Sequence, residues 1–178
     1  MTAPVHPDAD PGWRPLLAGR IAGRLAALRL VFAAVVMGVL LLGVVVAVLE
    51  RSDDGEPTGS PVLAVVVAAA GAGALATGEL VGRRQLDCSS DPALANSYSS
   101  RFFVRLALAE TPALLGFAGY VAVGRVELYL VGAAFALVGL SRAAPTVRRL
   151  AAETERLRGE GCGRDLRRAL RAAAGGVS

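Results

Sequence analysis

The sequence predicts an all-α fold: a polytopic membrane protein with four transmembrane helices and a basic cytoplasmic helix at the C-terminus. Of its 178 residues 54% are hydrophobic, only 5% are aromatic, and the mean hydropathy is +0.52. The apolar residues form long uncharged runs instead of alternating with polar ones. A soluble helix or strand interleaves polar residues at its own period, whereas a membrane span needs about 20 consecutive apolar residues. The composition therefore favours a membrane protein.

Hydrophobic length predicts the first three spans. Leu30–Leu49 holds twenty residues without a charge, which as a helix cover about 30 Å, the thickness of the hydrocarbon core. The second span, 61–82, and the third, 102–123, each contain one acidic residue, Glu79 and Glu110 respectively. Between them lies a polar segment whose sequence Ser-Ser-Asp-Pro is typical of a helix start.

The fourth span, 126–141, is predicted from charge more than from length. Its uncharged stretch, 128–140, has thirteen residues, about 20 Å of helix and shorter than the bilayer. If this segment did not cross, the C-terminal tail with its nine arginines would lie outside the cell. A four-helix transmembrane domain over 30–141 avoids that arrangement.

The arginines orient the predicted spans. Seventeen of the nineteen arginines lie in 1–29, 83–105 and 142–178, while Arg51 and Arg125 stand alone in the opposite connections. Because positive residues accumulate in cytoplasmic segments, this predicts a multi-pass protein of the cell membrane with both termini in the cytoplasm. We expect the N-terminal segment and the basic tail to contact anionic lipid. The basic isoelectric point then follows from topology and requires no nucleic acid.

The chain offers little material for metal or catalytic chemistry. One histidine, His6, and two cysteines, Cys88 and Cys162, cannot build a structural zinc site. Both cysteines fall in predicted cytoplasmic segments, so we expect free thiols and no disulfide. The sequence lacks a Ser-His-Asp set, an HExxH motif and a P-loop. These observations predict a non-enzymatic protein without metal or cofactor.

Glu110 is the candidate for chemistry inside the membrane. A charged group in a span is unfavourable by about 3 kcal/mol or more, so it must be protonated, paired or hydrated. Pro112 removes a hydrogen bond to the carbonyl of Leu108, and we expect Thr111 and that carbonyl to serve a protonated carboxyl or a cation. The alternative is an interhelical hydrogen bond that stabilises the helix bundle.

Small residues mark one face of the second span. They recur every four positions, at Ala70, Ala74, Gly78 and Gly82. This pattern lets another helix approach closely, which predicts a packing face. Alignment of the cytoplasmic ends of the second and third spans predicts that Glu110 lies opposite Gly73 and Ala74. Glu79 and Arg83, four residues apart, are expected to pair on the helix surface.

Residues 62–123 resemble the helical hairpin of the proteolipid, or c, subunit of rotary ATPases. The matching pieces are AAAGAGALATGELVG, the pair Arg84-Gln85, and ALAETPALLGF. This resemblance implies that Glu110 carries a proton. The loop of nineteen residues, the two additional spans and the basic tail depart from that family. The whole architecture also resembles uncharacterised small bacterial membrane proteins with an ALxExPAL-like third helix, a resemblance that implies no activity.

Two functional hypotheses follow. The first is a non-enzymatic accessory or assembly component of a membrane complex, in contact with helices of other membrane proteins or with further copies of itself. The second is a protein that translocates protons or cations through Glu110.

Overall fold

The structure is a computed structural model that describes residues 24–52 and 62–172. Six α-helices and no strand occur in these two ranges. The helices are α1 (Arg24–Ser52), α2 (Val62–Gly82), α3 (Asp91–Val123), α4 (Val126–Ala143), α5 (Val147–Gly159) and α6 (Leu166–Ala172). Helices α1 to α4 are long and apolar enough to cross a membrane. Residues 1–23 and 53–61, which hold most of the predicted N-terminal segment and the predicted start of the second span, lie outside the described residues.

Helix α4 shows why its span looked short in the sequence. The helix has eighteen residues, about 27 Å, because it continues on both sides of the uncharged stretch. It begins at Val126, directly after a tight turn at Gly124, whose φ of 69° suits a residue without a side chain. The distribution of the arginines and the length of α4 therefore both favour a fourth spanning helix.

Helix α3 extends well beyond its predicted span. It has 33 residues, about 50 Å, and its first three turns are polar. Ser90 caps the helix by accepting a hydrogen bond of 3.2 Å from the backbone N–H of Ala93, and Pro92 occupies the first turn. The helix start that the sequence predicts is confirmed.

The α3–α4 hairpin is the centre of the molecule because glycines let the two helices touch. A Cβ atom on Gly132 would overlap the carbonyl of Pro112, and one on Gly116 would overlap the carbonyl of Leu128. Only residues without a side chain permit backbones to approach this closely. Pro112, although inside a helix, is thus fully buried against α4.

Helices α1 and α2 flank this hairpin. Each packs against both α3 and α4, and their described residues do not contact each other. On the α1 side, the hydroxyl of Tyr129 donates a hydrogen bond of 2.5 Å to the carbonyl of Val39, with Gly43 alongside. On the α2 side, the ring of Phe135 covers Gly71. The outward faces of both helices are apolar and exposed, as expected of surfaces that meet lipid.

Helices α5 and α6 fold back onto the molecule and extend its apolar core. Leu150 and Leu157 of α5 and Leu166 and Leu170 of α6 are all at most 2% exposed. They join Leu94 of α3 in one apolar cluster, together with the start of α1. We call the layer that comprises residues 83–101 and 144–172 the basic end. The apolar face of α5 is therefore buried against other parts of the same chain.

Candidate functional site

Glu110 lies in the middle of α3 and is half-buried. Among the described residues, no hydrogen bond or ion pair reaches its carboxyl group. The Thr111 hydroxyl is exposed and donates to the carbonyl of Ala107 in its own helix, at 2.8 Å. The two candidate residues are therefore neighbours in sequence that are not joined into one site.

Ala109 of α3 lies beside a cleft that α2 also lines. Ala109 and Ala74 line one cleft, whereas Glu110 is not among the residues around it. Gly73 is exposed, and a Cβ atom placed on it would meet no atom within 4 Å. The cleft therefore does not bring the Glu110 carboxyl to Ala74, and the alignment of Glu110 with Gly73 and Ala74 stays a prediction.

The cleft lies between α2, α3 and α4, near the ends of α2 and α4 that meet the basic end. It is open to the surroundings, and about 250 Å³ of empty space, part of it open solvent, lies in it. Its walls are mostly small residues, with three charged side chains at the mouth. The lining residues are Ala74, Leu75, Gly78, Glu79, Arg105, Ala109, Gly139, Arg142 and Ala143.

The predicted small-residue face of α2 borders this cleft. Ala74 and Gly78 line it, Ala70 is half-buried, and the position of a Cβ on Gly82 is 3.4 Å from the guanidinium carbon of Arg105. Within this chain, the face accommodates α3, α4 and one arginine side chain. The small residues of α2 therefore leave space for the side chains of Glu79, Arg105 and Arg142.

An interhelical ion pair lines the cleft. A carboxylate oxygen of Glu79 is 3.6 Å from a guanidinium nitrogen of Arg142, and both side chains are about half exposed. The expectation that Glu79 pairs with Arg83 is wrong, because α4 brings Arg142 to the same carboxylate. Arg105 donates to the carbonyl of Arg142 at 3.3 Å. These groups can hold helix ends together, and the nine lining residues include no serine, cysteine or histidine.

Two arginines from distant helices cap the end of α2. The carbonyl of Gly82 accepts hydrogen bonds from Arg101 at 3.0 Å and from Arg156 at 3.1 Å. The same guanidinium groups donate to the carbonyls of Arg84 and Arg83, at 3.1 and 2.9 Å. The last carbonyls of a helix lack partners in the helix and carry partial negative charge, so cations are favourable there. This contact attaches the tail to α2.

A disulfide joins Cys88 to Cys162, so the prediction of two free thiols is wrong in this structure. Their Cα atoms are 6.0 Å apart although 74 positions separate them in sequence. The turn after α5 carries Cys162, which is 6% exposed, back over the loop that leads into α3. The spacing of the cysteines contains no signal for this approach, which depends on the docking of α5 and α6.

Arg164 fastens the same two segments beside the disulfide. It donates to the carbonyls of Cys88 and Ser89, both at 3.1 Å, and pairs with Asp91 at 2.7 Å. In the same loop, Asp87 accepts a hydrogen bond of 2.9 Å from the backbone N–H of Ser89. This bond holds the pKa of the Asp87 carboxyl below its usual value, because it stabilises the charged form.

Within 24–52 and 62–172, no group of three or more His, Cys, Asp or Glu side chains has the proximity needed to hold a metal ion. No protein-family model, curated protein or solved structure significantly matches this chain.

Proposed function

We propose that this chain is a non-enzymatic membrane protein that crosses the cell membrane four times and has both termini and the basic end in the cytoplasm. The four long apolar helices support the crossings. The concentration of seventeen arginines in the segments on one side supports the orientation. Exposed arginines of the basic end, such as Arg84, Arg148 and Arg168, would then lie where anionic lipid headgroups attract them.

We propose further that the protein acts as an accessory or assembly component that binds another transmembrane helix. The outward face of α2 carries this proposal. Its exposed positions include small residues at close spacing: Ala69, Ala72, Gly73, Ala76 and Thr77. Between two helices in lipid, van der Waals contact replaces the hydrophobic effect as the driving force, so small residues favour close association. This face has no occupant among the described residues, since α3 and α4 pack against the other side of α2.

A purification in mild detergent with Gly73→Leu tests this role. We expect the wild-type protein to retain a second membrane protein or a further copy, and Gly73→Leu to lose it because the leucine fills the close-approach surface. Ala34→Leu is the matched control, since Ala34 is an exposed small residue of α1. Recovery of the wild-type protein as a lone monomer would contradict the accessory role.

A second candidate function, the handling of protons or cations, is favoured by one observation on Glu110. The carboxyl is half-buried in a spanning helix and has no polar partner in the described part of the chain. Such a group must be protonated, hydrated or bound to a cation. We expect a hydrophobic carbodiimide to label the wild-type protein and Glu110→Gln to abolish both the labelling and ion flux in proteoliposomes. Glu79→Gln is the control, because Glu79 already has Arg142 as a partner. Wild-type protein without labelling or flux would exclude this function.

A further inference from the structure

The two cysteines of the chain belong to segments that other contacts already hold together. Arg164 binds the carbonyls of Cys88 and Ser89 and the carboxylate of Asp91. The backbone N–H of Cys162 donates to the carbonyl of Leu157 at 2.8 Å. A Cα separation of 6.0 Å lies within the ordinary range for bonded cysteines. The two sulfur atoms are thus placed for bond formation by the docking of the tail.

The surrounding packing makes this placement independent of the bond. Leu86 and Leu94, on either side of Cys88 in the chain, are buried, as are Leu157 and Leu166 around Cys162. All of them belong to one apolar cluster. Because the leucine packing and the Arg164 contacts involve no sulfur atom, we expect both redox states to share the same fold.

The compartment gives the pair its significance. The proposed function places the basic end in the cytoplasm, and this inference rests on that orientation. Cytoplasmic thiols are kept reduced, so a disulfide there is usually transient and serves catalysis or redox sensing. The seventeen arginines place the cysteines in the reducing cytoplasm, where a permanent structural disulfide is not expected. A reversible disulfide is compatible with that compartment.

We propose that Cys88 and Cys162 are a redox-responsive thiol pair that a low-molecular-weight disulfide oxidises in the cytoplasm. The Cys88 thiolate, which is less buried than that of Cys162, attacks one sulfur of the oxidant and releases one thiol. The Cys162 thiolate then attacks the mixed disulfide at the Cys88 sulfur and releases the second thiol. Two electrons pass from the cysteines to the oxidant, and the two cysteine protons are balanced by those on the released thiols.

Oxidation links the segment after α5 covalently to the loop between α2 and α3. In the reduced protein the chain connects α5 to α4, and the remaining attachment is by side-chain contacts. In the oxidised protein a covalent bond also joins the turn after α5 to the loop between α2 and α3. A cross-link over a long loop restricts opening. The switch therefore controls how often the tail leaves the end of α2.

The first test measures the thiols in membranes of known sidedness. We expect two free thiols in unstressed cells, labelled by a membrane-impermeant maleimide only in inverted vesicles. Glutathione disulfide added to those vesicles should convert wild-type protein to the internal disulfide, and reduced glutathione should reverse it. Cys88→Ser should form no internal disulfide. Labelling from outside intact cells would refute the proposed orientation and the switch together. Labelling from inside without reversible pairing would refute the switch alone.

The second test measures opening of the tail in the full-length protein. Arg156 donates to the carbonyl of Gly82 and precedes Leu157, which is 2% exposed, so trypsin reaches the bond after Arg156 when the tail opens. We expect cleavage of the oxidised wild-type protein to be slower than that of the reduced protein by about tenfold or more. Cys162→Ala should be cleaved at the reduced rate under both conditions. Equal rates in the two redox states of the wild-type protein would refute this effect of oxidation.

Discussion

A guanidinium nitrogen of Arg101 lies 2.5 Å from a carboxylate oxygen of Glu153, although 52 positions separate the two residues. The Arg101 side chain is 8% exposed and that of Glu153 is 20% exposed. Removal of one partner from a buried pair leaves a charge without compensation, which is strongly destabilising. We expect Glu153→Gln to lower the free energy of unfolding of the basic end by about 2 kcal/mol, measured by thermal unfolding in detergent.

Glu155 supplies the control for this variant. It pairs with Arg158 at the same distance, 2.5 Å, but both side chains are more than half exposed. An exposed ion pair contributes between about zero and 1 kcal/mol, so Glu155→Gln should change stability little. Equal losses in the two variants would show that burial of the Arg101 pair does not determine its contribution.

Gly132 should tolerate no side chain. A Cβ atom at this position would overlap the carbonyl of Pro112, and two packed backbones have no flexible group that can move aside. Gly132→Ala should therefore destabilise the α3–α4 hairpin by about 1–3 kcal/mol. In Gly38→Ala the new Cβ would meet no atom within 4 Å, and stability should be nearly unchanged. A neutral Gly132→Ala variant, by unfolding in detergent, would disprove the close backbone contact.

The hydroxyl of Tyr129 should contribute modestly to the packing of α1. Tyr129→Phe removes the hydrogen bond to the Val39 carbonyl and keeps the ring. Hydrogen bonds between membrane helices contribute about 0.6 kcal/mol on average, so we expect a loss of that order in the free energy of unfolding. Tyr98→Phe, with no hydroxyl hydrogen bond among the described residues, is the control. A loss in Tyr98→Phe equal to that in Tyr129→Phe would contradict this assignment.

Asp87 should make the loop before α3 sensitive to acid. Its pKa is lower in the folded protein than in the unfolded chain, so a proton binds more tightly to the unfolded state. The stabilisation is therefore present above the usual carboxyl pKa of about 3.9 and is lost as the pH falls through the folded-state value. A titration of thermal unfolding from pH 7 to pH 3 should show a smaller loss for Asp87→Asn. Parallel curves for the two proteins would contradict the prediction.

The spanning helices were predictable because their cause is local. Uncharged length locates α2 to within one residue, whereas α1 begins at Arg24, six residues before the predicted start of its span. The fourth helix required the distribution of charge along the whole chain. For α1 and α2 the signal is a property of consecutive residues, whereas for α4 it comes from arginines far apart in the chain.

The contacts of the basic end were not predictable because their cause is tertiary. The polar start of α3 packs against α6, and its amino-acid composition does not predict that contact. The capping of Gly82 by Arg101 and Arg156 and the pairing of the cysteines depend on the same docking.

Helix α3 runs without a break from the spanning part of the molecule to the basic end. From Pro92 to Pro112 it contains neither glycine nor an intervening proline, so this stretch lacks the usual sites of bending. Its polar first turns project about 15 Å beyond the apolar part and carry the surface on which α6 rests. A tilt of α3 by about 10° in the bilayer would therefore displace that surface by about 3 Å. A change in bilayer thickness or the binding of a neighbouring helix that tilts α3 can therefore move the surface on which α6 packs.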